Sequence, residues 1–460
     1  MATTEMTVGY GITAESSVAA QWSDLPDDLL GLVRSMVPSL RDRVRIAAVC
    51  KPWRGAASRL PAPPAVPLLL LAPRTDGKTK HLCGPDESWV LRVPDNVVKM
   101  CFAGSHSDGW IAAFHNFRLL MVNLFSGSEV VAPTLRPNSL YQNPITKIIF
   151  SRAPTSNKCM LATMTNNHHD VALCNLGRRS AGWTTQGWNK KIFTDIAFCG
   201  GDLYGLVHRT QEVIKFTIGV GAPVITSAHL LPIQTRDGPA LSTYDSTFIL
   251  ELHGKLLMAV RTRWLPNREE DFIKVFMLVD ADMGEPYKHR WEEVSDFGDY
   301  ALFLGPMSSM AVHVPAGAER HGLERNRIYY SNPTYSREKK LPGDEVYSVT
   351  SDDGVHMYCR EEPDFGDGVK RTRYCIPGWD DFTMWVHPPE LSSPSIARTI
   401  LQKALEDVAT ARFRSFFPRL LACSRAFFLP LFGLPTPIKG LLRSMYATTA
   451  ADIPFSAANT

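Results

Sequence analysis

The chain has 460 residues, more than one average domain and enough for two or three. Hydrophobic residues make up 45% and charged residues 21%, with a net charge of +3. This is an ordinary globular composition with a large core and no bulk electrostatic pull toward nucleic acid or membrane. Nine scattered cysteines, odd in number and without a C-x-x-C pair, fit reduced thiols in the nucleus or cytoplasm and exclude a disulfide-rich secreted scaffold. The first basic residue is Arg34, so neither a secretory signal nor a transit peptide is expected.

Residues 1–21, rich in Thr, Ser and Ala, are expected to be a disordered lead-in. A helix is predicted next. Ser23 and Asp24 are capping residue types, Pro26 suits a first turn, and Asp27 and Asp28 sit near the positive end of the helix dipole. Leu29, Leu32, Val33 and Met36 follow at helical spacing, while Leu30 and Val37 fall off that stripe. A second helix is predicted over Asp42–Lys51, apolar at Val44, Ile46, Ala47, Ala48, Val49 and Cys50. Pro52 ends it or opens a third helix reaching Leu60. About 40 residues bury too little surface to fold alone without a staple or partner. A small helical unit with surplus apolar faces is expected to bury them on another protein.

The run Leu25-Pro26-Asp27-Asp28-Leu29-Leu30, with Leu40 and then Ala48-Val49-Cys50-Lys51-Pro52-Trp53-Arg54, resembles an F-box. That is the helical module by which ubiquitin-ligase substrate receptors grip a Skp-type adaptor. The resemblance covers residues 22–60 and implies that Leu25, Pro26, Leu29, Leu32, Val33, Leu40, Val49 and Trp53 form the module's core and its adaptor contact. Spacing does not decide which of them does which.

Residues 61–67, Pro-Ala-Pro-Pro-Ala-Val-Pro, read as a stiff hinge. From 68 to about 390 the texture becomes one of short apolar or alternating runs between Gly, Pro, Asn and Asp. Examples are Leu68–Leu71, Trp110–Phe114, Leu119–Leu124, Ile145–Phe150, Ile192–Phe198, Val213–Ile218, Phe248–Leu252 and Ile273–Val279. Glycine-bearing turns recur at Asp108-Gly109-Trp110, Gly200-Gly201-Asp202, His253-Gly254-Lys255 and Leu304-Gly305. A period of roughly 45–50 residues with four short strands each is the mark of propeller blades. About six are expected, with five or seven possible and a β-sandwich or two smaller β-domains as the other all-β solutions.

No phosphate loop, dinucleotide fingerprint, nucleophile elbow or H-E-x-x-H motif occurs. His168 and His169 are adjacent and would point to opposite faces of a strand. With Cys159, Asp170 and Cys174 they make no convincing zinc set, so no metal or other cofactor is expected. Trp183 and Trp188, read as lying in a Gly-rich loop with Arg178 and Arg179, are the candidate anchors for a bound protein. Residues 391–460 read as a helical tail. Its basic, Phe-rich part is interrupted by Arg425, Pro430, Pro435 and Pro437, which excludes a membrane-spanning helix.

Ala301-Leu302-Phe303-Leu304-Gly305, Asn326-Arg327-Ile328-Tyr329-Tyr330-Ser331 and Phe382-Thr383-Met384-Trp385 resemble the KIB-type domain of plant F-box proteins, a degenerate kelch-like β-domain. The whole order is then an α+β multi-domain chain: a three-helix F-box, a propeller-like mainly-β domain and a short helical basic tail. The resemblance implies a non-catalytic substrate receptor of an SCF-type E3 ubiquitin ligase. Its partners would be a Skp-type adaptor, cullin through that adaptor, and a target protein of unknown identity, in nucleus or cytoplasm. An F-box protein acting outside a ligase as a binding module, or a propeller enzyme, are the alternatives.

Overall fold

The computed structural model describes residues between 25 and 389, apart from short stretches that include 38–41, 60–64, 72–78, 135–144, 166–169, 178–181, 188–189, 220–224, 235–240, 263–271, 282–287, 333–346, 351–355 and 376–382. Leu40, Arg178, Arg179, Trp188 and the expected lead-in and basic tail therefore lie outside the described residues.

Two helices are seen at the N-terminal end, α1 (Asp27–Met36) and α2 (Lys51–Arg59). Pro26 occupies the N-cap of α1, and its carbonyl accepts from the N–H groups of Leu29 and Leu30. Between the helices, Asp42, Arg43, Ile46 and Ala47 are helical, but the backbone bends at Val49 and leaves the helix at Cys50. The second predicted helix therefore does not run on to Lys51. Pro52 has no N–H to donate to the carbonyl of Ala48, and the chain restarts with the Arg54 N–H on the Cys50 carbonyl.

The rest is β-structure in six sheets. The first holds β1 (Leu68–Leu70), β2 (Thr79–Cys83) and β3 (Ser88–Arg92); the second holds β4 (Cys101–His106), β5 (Trp110–His115), β6 (Arg118–Asn123) and β7 (Glu129–Val131). The third is β8 (Ile145–Phe150), β9 (Met160–Thr165), β10 (Asp170–Asn175) and β11 (Trp183–Gly187); the fourth is β12 (Phe193–Cys199), β13 (Asp202–Val207), β14 (Val213–Ile218) and β15 (Ile225–Leu230). The fifth runs β16 (Ile233–Gln234), β20 (His289–Glu293), β19 (Phe272–Asp280), β18 (Lys255–Thr262), β17 (Ser246–Leu252). In the sixth the order is β22 (Met310–His313), β21 (Tyr300–Leu304), β23 (Arg327–Asn332), β26 (Lys370–Cys375), β25 (His356–Glu361), β24 (Tyr347–Thr350). Most neighbours are antiparallel hairpins; β21–β23–β26 are parallel and break the simple meander.

The sheets close into a ring, because a separate hydrophobic core lies between each successive pair. Leu68 and Leu70 of β1 pack toward the second sheet, and Leu69 toward the sixth. Phe102 and Ile111 face the first sheet, whereas Ala103, Ala112 and Phe114 face the third. Leu302 and Leu304 pack on the fifth sheet while Ala301 and Phe303 turn to the first. Alternation along a strand thus feeds two cores instead of a core and solvent, which is why these strands read as continuous apolar runs. The last described strand, β27 (Met384–Val386), pairs antiparallel with β1 and joins the two ends of the β-region in one sheet.

That seam is fastened on both sides. Trp385 is fully buried; its indole N–H donates to the Leu304 carbonyl at 2.9 Å, and its ring meets Phe303 and Tyr374 edge-on. Its carbonyl accepts from the Ser308 hydroxyl at 2.9 Å and from the Ser105 hydroxyl at 2.5 Å. The Gly109 N–H donates to the His387 carbonyl at 2.7 Å.

Three of the four recurrent glycine turns hold equivalent places. Asp108-Gly109, Gly200-Gly201 and His253-Gly254 each join consecutive antiparallel strands with both residues at positive φ; the last two are two-residue hairpins, whereas Asp108-Gly109 closes a three-residue turn begun by Ser107. Gly305 differs. Its φ is not positive, and a Cβ there would come within 3.1 Å of the Ser308 carbonyl oxygen and of the Trp385 ring, so it serves close packing at the seam.

Candidate functional site

The helical unit has a small core of its own. Leu25, Leu30, Ile46, Trp53 and Ala56 are buried together, with Leu29, Val33, Val37 and Cys50 packed around them. Arg34 and Arg43 are buried among these helices, donating to the Ala57 carbonyl at 2.5 Å and the Val37 carbonyl at 2.8 Å. Burial pushes the Arg34 guanidinium below its ordinary pKa. Exposed Asp27 and Arg59 tie the start of α1 to the end of α2.

The residues expected to form core and contact now separate. Leu25 and Trp53 are core, at 8% and 5% exposure, and Leu29 and Val33 flank it. Leu32 and Val49 are 44% and 53% exposed, and Pro26 is exposed too. Leu30, judged off the stripe from spacing alone, is the most buried leucine of α1 at 3%. Its signal was the second apolar face: a helix covered on two sides needs no single stripe. Ala47 packs on the core between the first two sheets, which sets the unit against the ring there. Ala65, at the end of the expected hinge, is buried as well, and Val66 packs on the core of the seam.

On the β-domain, Trp183 is not a loop anchor. It opens the outer strand β11, packs against the core between the second and third sheets, and its indole N–H donates to the Pro133 carbonyl at 2.8 Å. Cys159 and Cys174 are buried in that same core, where desolvation pushes their thiols up to about 11 and about 12, far from metal-binding thiolates. Among the described residues no group of three or more His, Cys, Asp or Glu is placed to hold a metal. No described helix is long and apolar enough to cross a membrane.

The ring encloses a cavity of about 560 Å³. Its walls come from β4, β8, β12, β17 and β22, with His387 beside the seam. The inner strands β4, β8 and β12 each carry a register shift near their start, at Phe102/Gly104, Ile145/Lys147 and Phe193/Asp195. At the residues after these shifts the sheets are linked side to side. Gly104 lets the Ile148 carbonyl approach so closely that a Cβ would meet it at 1.8 Å. Lys147 Nζ donates to Asp195 Oδ1 at 2.5 Å, both side chains being 3% exposed. Asp195 also accepts from the Ile196 N–H at 2.8 Å and the Ile249 N–H at 3.0 Å, which carries the link on to the fifth sheet. Sequence reading passed over this pair, although a lone Lys and a lone Asp inside otherwise apolar strands were the visible signal.

At one end of the cavity His106 bonds the Ser107 hydroxyl through Nδ1 at 2.9 Å and meets Phe150 edge-on. Burial lowers the pKa of His106 and of His387; Asp108 opposes the shift at both, and His106 reinforces it at His387. Within this lining a base meets a hydroxyl at the chain neighbours His106 and Ser107, with Ser107 exposed, and the lining carboxylate Glu251 faces no second one.

A closed ring of sheets behind a small N-terminal helical unit defines a β-propeller protein. The chain belongs to the KIB1-4 beta-propeller family, whose model matches residues 80–358. It is 23% identical over 382 residues to an F-box/kelch-repeat protein of Arabidopsis thaliana, covering 80% of this chain and 95% of that protein. It is 29% identical over 197 residues to an F-box protein of the same plant, covering 40% and 51% respectively. These likenesses support a plant F-box protein with a propeller region. Among solved structures, the N-terminal domain of Nup159 aligns over 69% of this chain and 74% of that one, at 10% identity and a TM-score of 0.28, too slight to carry an argument.

Proposed function

We propose that the chain is the substrate-recognition subunit of an SCF-type E3 ubiquitin ligase. The helical unit docks a Skp-type adaptor and, through it, cullin, and the propeller holds the target protein. The subunit breaks no bond itself; it raises the effective concentration of target near a bound conjugating enzyme. The observation that carries this reading is the separation in α1 and the turn before α2. Leu25, Leu30 and Trp53 close a core, while Pro26, Leu32 and Val49 remain outside it. Exposed aliphatic side chains on a unit too small to be self-sufficient fit a partner surface. Such a complex belongs in nucleus or cytoplasm.

The test is co-purification of wild type beside a Leu32→Glu, Val49→Glu double variant, probed for Skp-type adaptor and cullin. Both substitutions lie outside the core, so the variant folds. Recovery of both partners by wild type and their loss with the variant supports the receptor. Adaptor without cullin favours a binding role outside a ligase. Failure of wild type to recover either overturns the reading.

A further inference from the structure

The chain leaves the ring at the edge of its cavity. His387 lines that cavity, its carbonyl accepts from the Gly109 N–H at 2.7 Å, and Pro389 Cδ stands 3.4 Å from where a Cβ on Gly109 would be. Pro389 is therefore held beside Asp108 and Ser107, both exposed, and Ser107 belongs to the lining. Residues 390–460, outside the described residues, continue from that point. Residues 411–446 carry six basic residues and no acid, and Phe413, Phe416 and Phe417 stand among Arg412, Arg414 and Arg419.

The cavity offers a complement to both features. Ile149, Phe198, Met310 and Ala311 are lining residues that the cores between the sheets leave half-buried, so apolar surface is kept for an occupant. The exposed charge of the lining is acidic: Glu251 is exposed, whereas the lining lysine, Lys147, is buried and bonded to Asp195. We propose that the occupant of the cavity is this chain's own segment 412–419, folded back to seat phenylalanine against the half-buried lining and arginine at Glu251. The tether is long enough. From Pro389 to Arg412 the chain spans about 50 Å even with residues 396–408 helical, and the mouth lies at its own root. Tethering sets the effective concentration of the segment on the order of mM, so another ligand of the cavity must displace it. The contact needs neither adaptor nor target and stands apart from the ligase reading.

Photo-crosslinking of the full chain, with benzoylphenylalanine placed at position 416, tests it. Crosslinks are expected within one chain, to residues 148–150, 196–198 or 309–313 of the lining. A labelled peptide of residues 411–420 gives a second readout. It is expected to bind the full chain carrying Phe413→Ser, Phe416→Ser and Phe417→Ser at least about tenfold tighter than wild type, whose own segment competes with it. Adding Glu251→Lys, at an exposed position, is expected to weaken that binding about threefold, the scale of one exposed ion pair, and less in high salt. Crosslinks only to a second copy or only outside the lining overturn the proposal, as does equal peptide binding by wild type and the triple variant. A full chain that gives no lining crosslink but sediments with phosphatidylserine vesicles through the same phenylalanines also overturns it, and assigns the segment to an anionic membrane surface.

Discussion

The helical unit and the ring bury apolar surface in opposite ways. The well-buried strands of the ring feed two cores, so sheets such as the first and second cover both of their faces and the last core closes on the first. The helices gather five buried residues into one core and leave Leu32 and Val49 in solvent. The difference teaches where a partner is needed. The ring completes itself, whereas the helical unit is completed by what it touches, beginning with the contact of Ala47 on the ring.

The hardest blow to the closed side of this contrast is Trp385→Ala. It empties a fully buried site at the seam and orphans the Leu304 carbonyl, and an urea titration is expected to show a loss of roughly 4 kcal/mol. An unchanged midpoint would mean that β27 does not close the ring. Lys147→Met alone is expected to cost about 3 kcal/mol by leaving Asp195 charged and unpaired, and adding Asp195→Asn should recover most of it. On the open side, an isolated peptide of residues 22–60 is expected to show no cooperative thermal transition, while residues 65–389 retain one. A sharp transition in the peptide would break the comparison.

Smaller effects sharpen it. His106 and His387 have pKa values lowered by burial, so the folded ring favours their neutral forms. Their contribution is fully present above the ordinary value near 6.5 and is lost as pH falls through the lowered folded values, because the unfolded chain takes up protons first. Denaturation midpoints should therefore drop below pH 6.5, and His387→Phe should flatten that drop. The smallest change expected is from Asp27→Asn, which removes a largely exposed ion pair with Arg59 and shifts stability by under about 0.5 kcal/mol in low salt.

Legibility in the sequence followed burial. Ile145–Phe150 and Val213–Ile218 could be bounded to the residue because strands that feed two cores stand out as apolar runs. Ile225–Leu230 escaped notice: it is an outer strand with no fully buried residue and nothing to mark it. Cys101–His106 escaped for a different reason, since Ala103 and Gly104 are chosen for close approach and carry little hydrophobic signal. Glycine spacing found the hairpins at Gly109, Gly201 and Gly254 but took Gly305 for a fourth, because spacing cannot tell a left-handed turn from a tight contact. The helical unit was recognised from its residues, yet the roles of Leu30 and Leu32 required the packing. The Lys147–Asp195 link joins strands of different sheets, so local periodicity could not have paired its members.

The pairing of Leu68–Leu70 with Met384–Val386 also sets an order of events during synthesis. The ribosome delivers the first strand of the seam long before its partner, and at about 5–20 residues per second the interval is tens of seconds. Throughout that time one edge of the first sheet is open to other chains, while the N-terminal helices have already been delivered. A nascent chain stopped short of Met384 would thus carry its helical unit on a ring that cannot shut, and would be a client for chaperones.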